Sequence, residues 1–266
     1  CWQNHQKETV FQLEGLPDEK KWEYYRQNII DLKSIKEESL STVQKISKRA
    51  YLQNDYYIEP YSLQTWIEKN TYPIFFLDFH FIRPAIPIID GTSPYQSQLY
   101  LFSIIKLKED NQTEIKLNVL QDYDLEAFTR ELSNQLEGMS SILVYNKSTD
   151  VEKLKNLFLS YQLPVVCLNK IVDMHPLLME RKFWHGQMKE NMTITDLAKL
   201  INVQMQWDKL EFSIPEQANA FMEDVLNTNF KDKEIKLTKL KNYSGFINTA
   251  QFRFFNLLKN KYSITN

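Results

Sequence analysis

The 266-residue chain has little cysteine, little glycine and no net charge of consequence: two Cys, five Gly, and 32 Lys+Arg against 34 Asp+Glu for a net charge of −2. Two cysteines cannot build a disulfide framework, so the sequence reads as one that folds in a reducing, cytoplasmic setting. The near-balance of charge excludes a uniformly basic nucleic-acid binder. No stretch approaches the roughly 18 consecutive apolar residues of a membrane span, and the mean hydropathy of −0.45 describes a polar surface. No membrane partner is therefore expected. What is abundant is aromatic: 16 Phe, 14 Tyr and 5 Trp, ample core material that excludes intrinsic disorder.

Cys1 stands where a complete chain would carry Met, with no n-region or h-region after it. The chain is therefore expected to continue from an upstream region. Cys1 is either the lipid-bearing cysteine of a processed lipoprotein or a remnant of a preceding domain, and the second reading is adopted below.

Residues 1–69 read as a helical N-terminal segment. DEKKWEYYRQNI predicts a helix over Asp18–Ile29 with Trp22, Tyr25 and Ile29 on one face, Pro17 as a stop and Asp18 as N-cap. Further helices are predicted over Ser39–Leu52 and from Ser62, after Pro60. At Tyr72–Phe79 the character changes: YPIFFLDF suits a strand buried on both faces. Strands are also predicted at Leu99–Leu107, Glu114–Leu120 and Ser141–Asn146, with a turn at Asp90-Gly91. Helices are predicted over Asp124–Leu136 and from Thr149, which has capping-box spacing with Glu152 and carries Val151, Leu154, Leu157 and Phe158 inward. Beyond Asp173 the pattern is mainly helical, over Thr193–Ile201, Pro215–Leu226 and Lys233–Leu258. Strand followed by helix at this spacing indicates an α/β sheet over residues 70–266.

Asp78 is the first candidate for chemistry, because a carboxylate inside FFLDF is costly to bury without compensation. It is a metal ligand or general base at a strand end, or else a cap for a neighbouring turn. Asp150, in YNKSTD, falls in the first turn of a helix, where the dipole favours a carboxylate. Both acids sit near C-terminal strand ends, where open α/β sheets place their sites.

The stretch FFLDFHFIRPAIPIIDGTSPYQ resembles the bacterial domain of unknown function 2779 family, and KKWEYYRQNIIDLKSI, YIEPYSLQTWI, SILVYNKSTD, IVDMHP and MTITDLAKL extend the resemblance over nearly the whole chain. That family looks like a divergent branch of the ribonuclease H-like DEDD 3′–5′ exonucleases. The resemblance implies a mixed sheet flanked by helices and oxygen ligands for two Mg²⁺ or Mn²⁺ ions that stabilise the attacking and leaving oxygens. It places Asp78 as the first acid, Asn146 and Asp150 in the second motif with Thr149 replacing an aromatic, and Asp173 as a further acid. It also places Tyr95, Gln96, Tyr243 and Asn248 among substrate-binding residues.

The departures from the family pattern concern the acids. His80 stands where the family has Glu, Ile247 where the final motif has Asp with neutral Asn248 beside it, and Ser93 where GTRPYQ has Arg. Two carboxylates do not offset two dications, so the charge arithmetic disfavours a two-metal site. One ion on Asp78, His80 and Asp150 remains open, His favouring Mn²⁺ or Zn²⁺. Alternatively His80 is hydrogen-bonded beside Asp78. Cys167, between valines and a leucine, reads as a buried inert thiol, and His175 and His185 lack metal spacing. Between Lys231 and Lys261 eight basic residues stand against two acidic ones, a local charge of +6. This is a phosphate-tracking surface for single-stranded nucleic acid or a solvated helix face.

In longer relatives a cysteine-rich segment and a nuclease-like domain come first. The resemblance makes Cys1-Trp2 the last of an iron–sulfur-type cysteine set, which needs about four thiolates, so this chain alone does not hold a cluster. The expected function is a nuclease-like, nucleic-acid-processing module with a degenerate site and low or no activity. The competing class is a non-catalytic binding module for nucleic acid or a partner domain.

Overall fold

The computed structural model describes residues 9–121, 124–189, 191–201, 211–212, 214–226 and 230–265, the side chains of 230, 231 and 262–265 excepted. Cys1 and Trp2 lie outside the described residues. The chain divides into two compact units: a smaller one of Cys1–Ile67, His175–Met192 and Asn260–Asn266, and a larger one of Glu68–Met174 and Thr193–Lys259.

The smaller unit contains α1 (Asp18–Arg26), α2 (Thr42–Gln53), β1 (Tyr56–Ile58), most of α3 (Pro60–Lys69), α6 (Pro176–Met179) and β7 (Phe183–His185). Helix α1 starts behind Pro17, Asp18 ion-pairing Lys21 at 3.1 Å and not capping, and it ends at Arg26, before a left-handed Asn28. Its Trp22 and Tyr25 are 46% and 41% exposed and meet the Phe11 ring at its edge. The apolar core is instead built by Val10, Leu13, Leu16, Leu32, Ile35 and Leu40. Helix α2 starts three residues later than predicted, because Ser41 and Gln44 form the capping box. Helix α3 starts at Pro60, whose missing N–H costs nothing in a first turn, and the Glu59 carboxylate accepts the Ser62 N–H at 2.7 Å. The antiparallel pair β1–β7, Tyr56 opposite His185, joins segments far apart in sequence.

The larger unit is an α/β domain around a mixed five-stranded sheet in the order β4-β3-β2-β5-β6: β4 (Thr113–Val119), β3 (Gln98–Leu107), β2 (Ile74–Ile82), β5 (Ser141–Val144) and β6 (Ile171–Asp173). Strand β2 pairs antiparallel with β3 and parallel with β5, and β5 pairs parallel with β6. All nine residues of β2 are buried, as a central strand covered on both faces requires. Edge strand β4 is mostly exposed, and its Glu114 and Lys116 blunt the open edge. The flanking helices are α4 (Leu125–Gln135), α5 (Ser148–Ser160), α7 (Ile194–Leu200), α8 (Pro215–Leu226) and α9 (Phe230–Thr265).

Strand alternation sorts the side chains of β2. Phe76, Asp78 and His80 face α9, where Phe252 and Phe255 meet Phe76 edge-on and Tyr243 lies beside His80. Phe75 faces the opposite layer, lining a hollow with Asn134 and Gln135 at the end of α4. The β2–β5 register runs only from Ile74–Ser141 to Phe76–Leu143. Beyond Phe76 and Leu143 the two strands are no longer paired, and a cleft opens at their C-terminal ends.

Candidate functional site

Asp78, central in β2 and fully buried, is held by polar groups from three elements. Its Oδ2 accepts hydrogen bonds from His80 Nε2 at 2.7 Å and from Ser244 Oγ of α9 at 2.9 Å. The Ser103 hydroxyl of β3 lies 2.8 Å from Ser244 Oγ and accepts from Asn248 Nδ2 at 3.1 Å. Asn248 Nδ2 also donates to the Phe76 carbonyl at 2.8 Å. Asn248 is thus part of a buried polar ladder tying α9 to the sheet.

Burial acts to raise the Asp78 pKa, but the charges of His80 and Lys147 and the hydrogen bonds from His80 and Ser244 win, holding it at about 2 against an ordinary 3.8. The folded-state pKa is depressed, so this carboxylate's stabilisation is complete above about pH 4 and is lost as pH falls through about 2. Acid unfolding of the Asp78→Asn variant should therefore lack the part of the wild-type transition between pH 4 and 2. Circular dichroism across that range checks this, and parallel curves for the two proteins would sink it.

Lys147 supplies the charge. After β5, Asn146 turns in the left-handed region (φ +53°). Asp173, at the end of β6, accepts the backbone N–H of Asn146 at 2.7 Å and of Lys147 at 2.9 Å. Helix α5 consequently begins at Ser148, with no side-chain cap, and the predicted Thr149–Glu152 box does not form because Asp173 organises the turn. The turn sends Lys147 back into the sheet. Its Nζ donates to the Phe79 carbonyl at 2.8 Å and lies 3.6 Å from Asp78 Oδ1, 3.8 Å from Asp150 Oδ2 and 5.4 Å from the Phe79 ring centroid. Asp150 Oδ1 accepts in turn from Lys153 at 2.7 Å.

The cleft above these groups has a volume of about 460 Å³, and Asp78, His80, Asn146, Lys147, Asp150 and Tyr243 all line it. Asp173, Thr149, Tyr95, Gln96 and Asn248 are not brought to its wall. Ile247 is, with 8% of its surface exposed. The Tyr243 hydroxyl is buried without a hydrogen-bond partner among the described residues, and burial pushes its pKa far up, so it stays protonated. Tyr95 sits on the neighbouring loop, in the left-handed region and 61% exposed, its carbonyl accepting from Arg83 Nε at 3.0 Å. Arg83 lines the cleft. The Gln96 side chain closes its own turn on the Ser93 N–H.

Sequence reading missed Lys147 and the acids of α8. Glu216, Asn219 and Glu223 line the cleft at i, i+3 and i+7, a helical-face spacing that was the available signal. Asn219 Oδ1 accepts from the Tyr100 hydroxyl at 2.9 Å, anchoring α8 to β3.

The donor set does not fit a pair of divalent ions. Among the described residues no group of three or more His, Cys, Asp or Glu is arranged to hold a metal, and the two carboxylates that converge do so on an ammonium. The basic segment of α9 is partly neutralised. Lys239 pairs with Glu211 at 2.9 Å, Lys236 with Asp224 at 2.5 Å, and Lys259 donates to the Tyr72 hydroxyl. Cys167 is half-buried, not buried, beside a 69% exposed Val166, and its thiol pKa is raised by desolvation. No helix among the described residues is long and apolar enough to cross a membrane.

Residues 75–205, which include β2, the cleft turn and Asp173, match the family described as Domain of unknown function (DUF2779). No curated protein matches the chain. Among solved structures, the family B DNA polymerase from the hyperthermophilic archaeon Pyrobaculum calidifontis is similar at a TM-score of 0.45 and 10% identity, covering 70% of this chain. The similarity spans 24% of that polymerase's length.

Proposed function

We propose that the chain is a module of a nucleic-acid-processing protein, built on a ribonuclease H-like, exonuclease-type sheet. Its hydrolytic site is degenerate, so the cleft retains single strands and cuts them slowly or not at all. The observation that carries this reading is the convergence of Asp78 and Asp150 on one cationic centre at the open ends of β2 and β5. The sheet supports it: with its strands counted from β2 in chain order, they lie 3-2-1-4-5, and the second runs antiparallel to the first. So does the neighbouring loop, where Tyr95 is 61% exposed and its carbonyl holds Arg83, a cation that lines the cleft: an exposed aromatic for base stacking and a positive charge for phosphate are the two elements of single-strand retention. On this reading the upstream partner is a nuclease-like domain of the same protein.

The test is a titration of Mg²⁺ and Mn²⁺ against end-labelled single-stranded DNA and RNA. Retention that weakens steeply with salt, with the label intact, is the expected result. Metal-dependent shortening of the strand that disappears in Asp78→Asn would establish an active enzyme instead. Neither retention nor shortening would exclude nucleic acid altogether.

A further inference from the structure

We infer that the Lys147 ammonium is the resident cation of this cleft, standing where a divalent ion would otherwise bind, and that removing it opens a single-ion site on Asp78, Phe79 and Asp150. The disagreement between the acids present and a metal centre points to it. Three oxygens from separate segments face the ammonium: the Phe79 carbonyl at 2.8 Å, Asp78 Oδ1 at 3.6 Å and Asp150 Oδ2 at 3.8 Å. Two carboxylates and a carbonyl are the hard oxygen donors that suit Mg²⁺, Mn²⁺ or Ca²⁺, at about 2.0–2.6 Å.

Asp78 Oδ1 is the atom that identifies the vacancy the lysine fills. It is fully buried, it accepts no hydrogen bond among the described residues, and Lys147 lies 3.6 Å from it as an ion-pair partner. Its sister oxygen is already saturated by His80 and Ser244. A buried carboxylate oxygen in that state is costly unless a charge or donor faces it, and the group that faces it here is the ammonium. The chain delivers one by a fixed route: Asp173 ties down the Asn146 and Lys147 amides, and the side chain is thrown over Phe79. Adding a dication to this arrangement would set four positive charges, those of the ion, Lys147 and Lys153, against the two negative ones of Asp78 and Asp150, with the Lys147 stem in the way. Deleting that stem frees the space and removes the one ammonium that faces both carboxylates, while Lys153 stays on the other oxygen of Asp150. The inference stands on this geometry whether or not the cleft holds nucleic acid.

The experiment uses the full chain and Mn²⁺ as probe, read by the electron paramagnetic resonance signal of free Mn²⁺ and by thermal unfolding. The wild type and Lys147→Arg, which keeps the charge, should leave the Mn²⁺ signal and the melting midpoint unchanged. Lys147→Ala should bind one Mn²⁺ per chain, with its midpoint rising by roughly 5–10 °C at a 100-fold excess over Kd. Adding Asp78→Asn to Lys147→Ala should abolish the binding. Stoichiometric Mn²⁺ binding by the wild type that is lost in Asp78→Asn would overturn the proposal. So would a Lys147→Ala protein that folds without responding to Mn²⁺, or that stays unfolded at every Mn²⁺ concentration. A Lys147→Ala protein that folds only with Mn²⁺ would support it. Nucleic-acid retention by the wild type is scored separately, so failure of the functional reading leaves this outcome intact.

Discussion

Replacing Asp78 by alanine should destabilise the larger unit by about 3–5 kcal/mol, the cost of leaving one member of a buried ion pair without its partner. The carboxylate is fully buried, so its replacement brings no water to the groups it serves. Lys147 would keep the Phe79 carbonyl and the more distant Asp150 but lose its buried counter-charge. His80 and Ser244 would each lose an acceptor, at 2.7 and 2.9 Å. Asp78→Asn keeps an oxygen for those two donors and removes only the charge, so a smaller loss of about 1–3 kcal/mol is expected. Adding Lys147→Ala to Asp78→Ala should cost less than the sum of the single changes, because the second change removes the group that the first leaves stranded. Urea unfolding followed by circular dichroism measures all three. Equal midpoints for Asp78→Ala and Asp78→Asn, or strict additivity in the double variant, would refute the electrostatic account.

Four of the sheet's five strands were legible in the sequence, above all the central one, which carries no polar face: nine consecutive buried residues in β2 interrupt the amphipathic helices around them, whereas the three-residue β6 was not foreseen. Asp78 could be singled out for the same reason, as the one acid in that strand. Lys147 could not. Its neighbours Asn146, Thr149 and Asp150 attracted attention, whereas the lysine's direction is set by a left-handed turn and by Asp173, which lies 26 residues away. That distance also explains why the Thr149–Glu152 pattern misled: a local capping signal gives way when a carboxylate from the adjacent parallel strand reaches the amides first. The charge of α9 shows the same limit. Lys236 and Lys239 look like an unopposed basic run in one dimension and meet Asp224 and Glu211 in three. Strands β1 and β7 are three residues each and pair across more than a hundred positions, too short for periodicity to register.

Gly186→Ala should collapse the packing of the smaller unit, with a cost above about 3 kcal/mol, the upper end of ordinary overpacking. A Cβ there would stand 2.9 Å from the Ala50 carbonyl carbon and 2.5 Å from the Tyr51 nitrogen, with the Tyr51 Cα closer still. These are backbone atoms of α2, and no rotamer change relieves them. Relief requires separating β7 from the last turn of the helix. That movement would disturb the stacking of Tyr56 on Phe183 and of the Arg181 guanidinium on the buried Trp184, whose centroid is 3.6 Å away. Gly138→Ala is the control: no atom lies within 4 Å of its added Cβ, so only its φ of +73° opposes the change, at about 1–2 kcal/mol. Trp22, Trp66 and Trp184, three of the chain's five tryptophans, fall in the smaller unit, and Trp207 falls in the larger one, so a change in tryptophan emission caused by Gly186→Ala is read against the Gly138→Ala control. Gly186→Ala should shift that emission to the red at low urea while Gly138→Ala leaves it in place. Wild-type emission and midpoint in Gly186→Ala would mean that α2 and β7 do not pack backbone to backbone, and that residues 175–192 are not integral to the fold of the N-terminal segment.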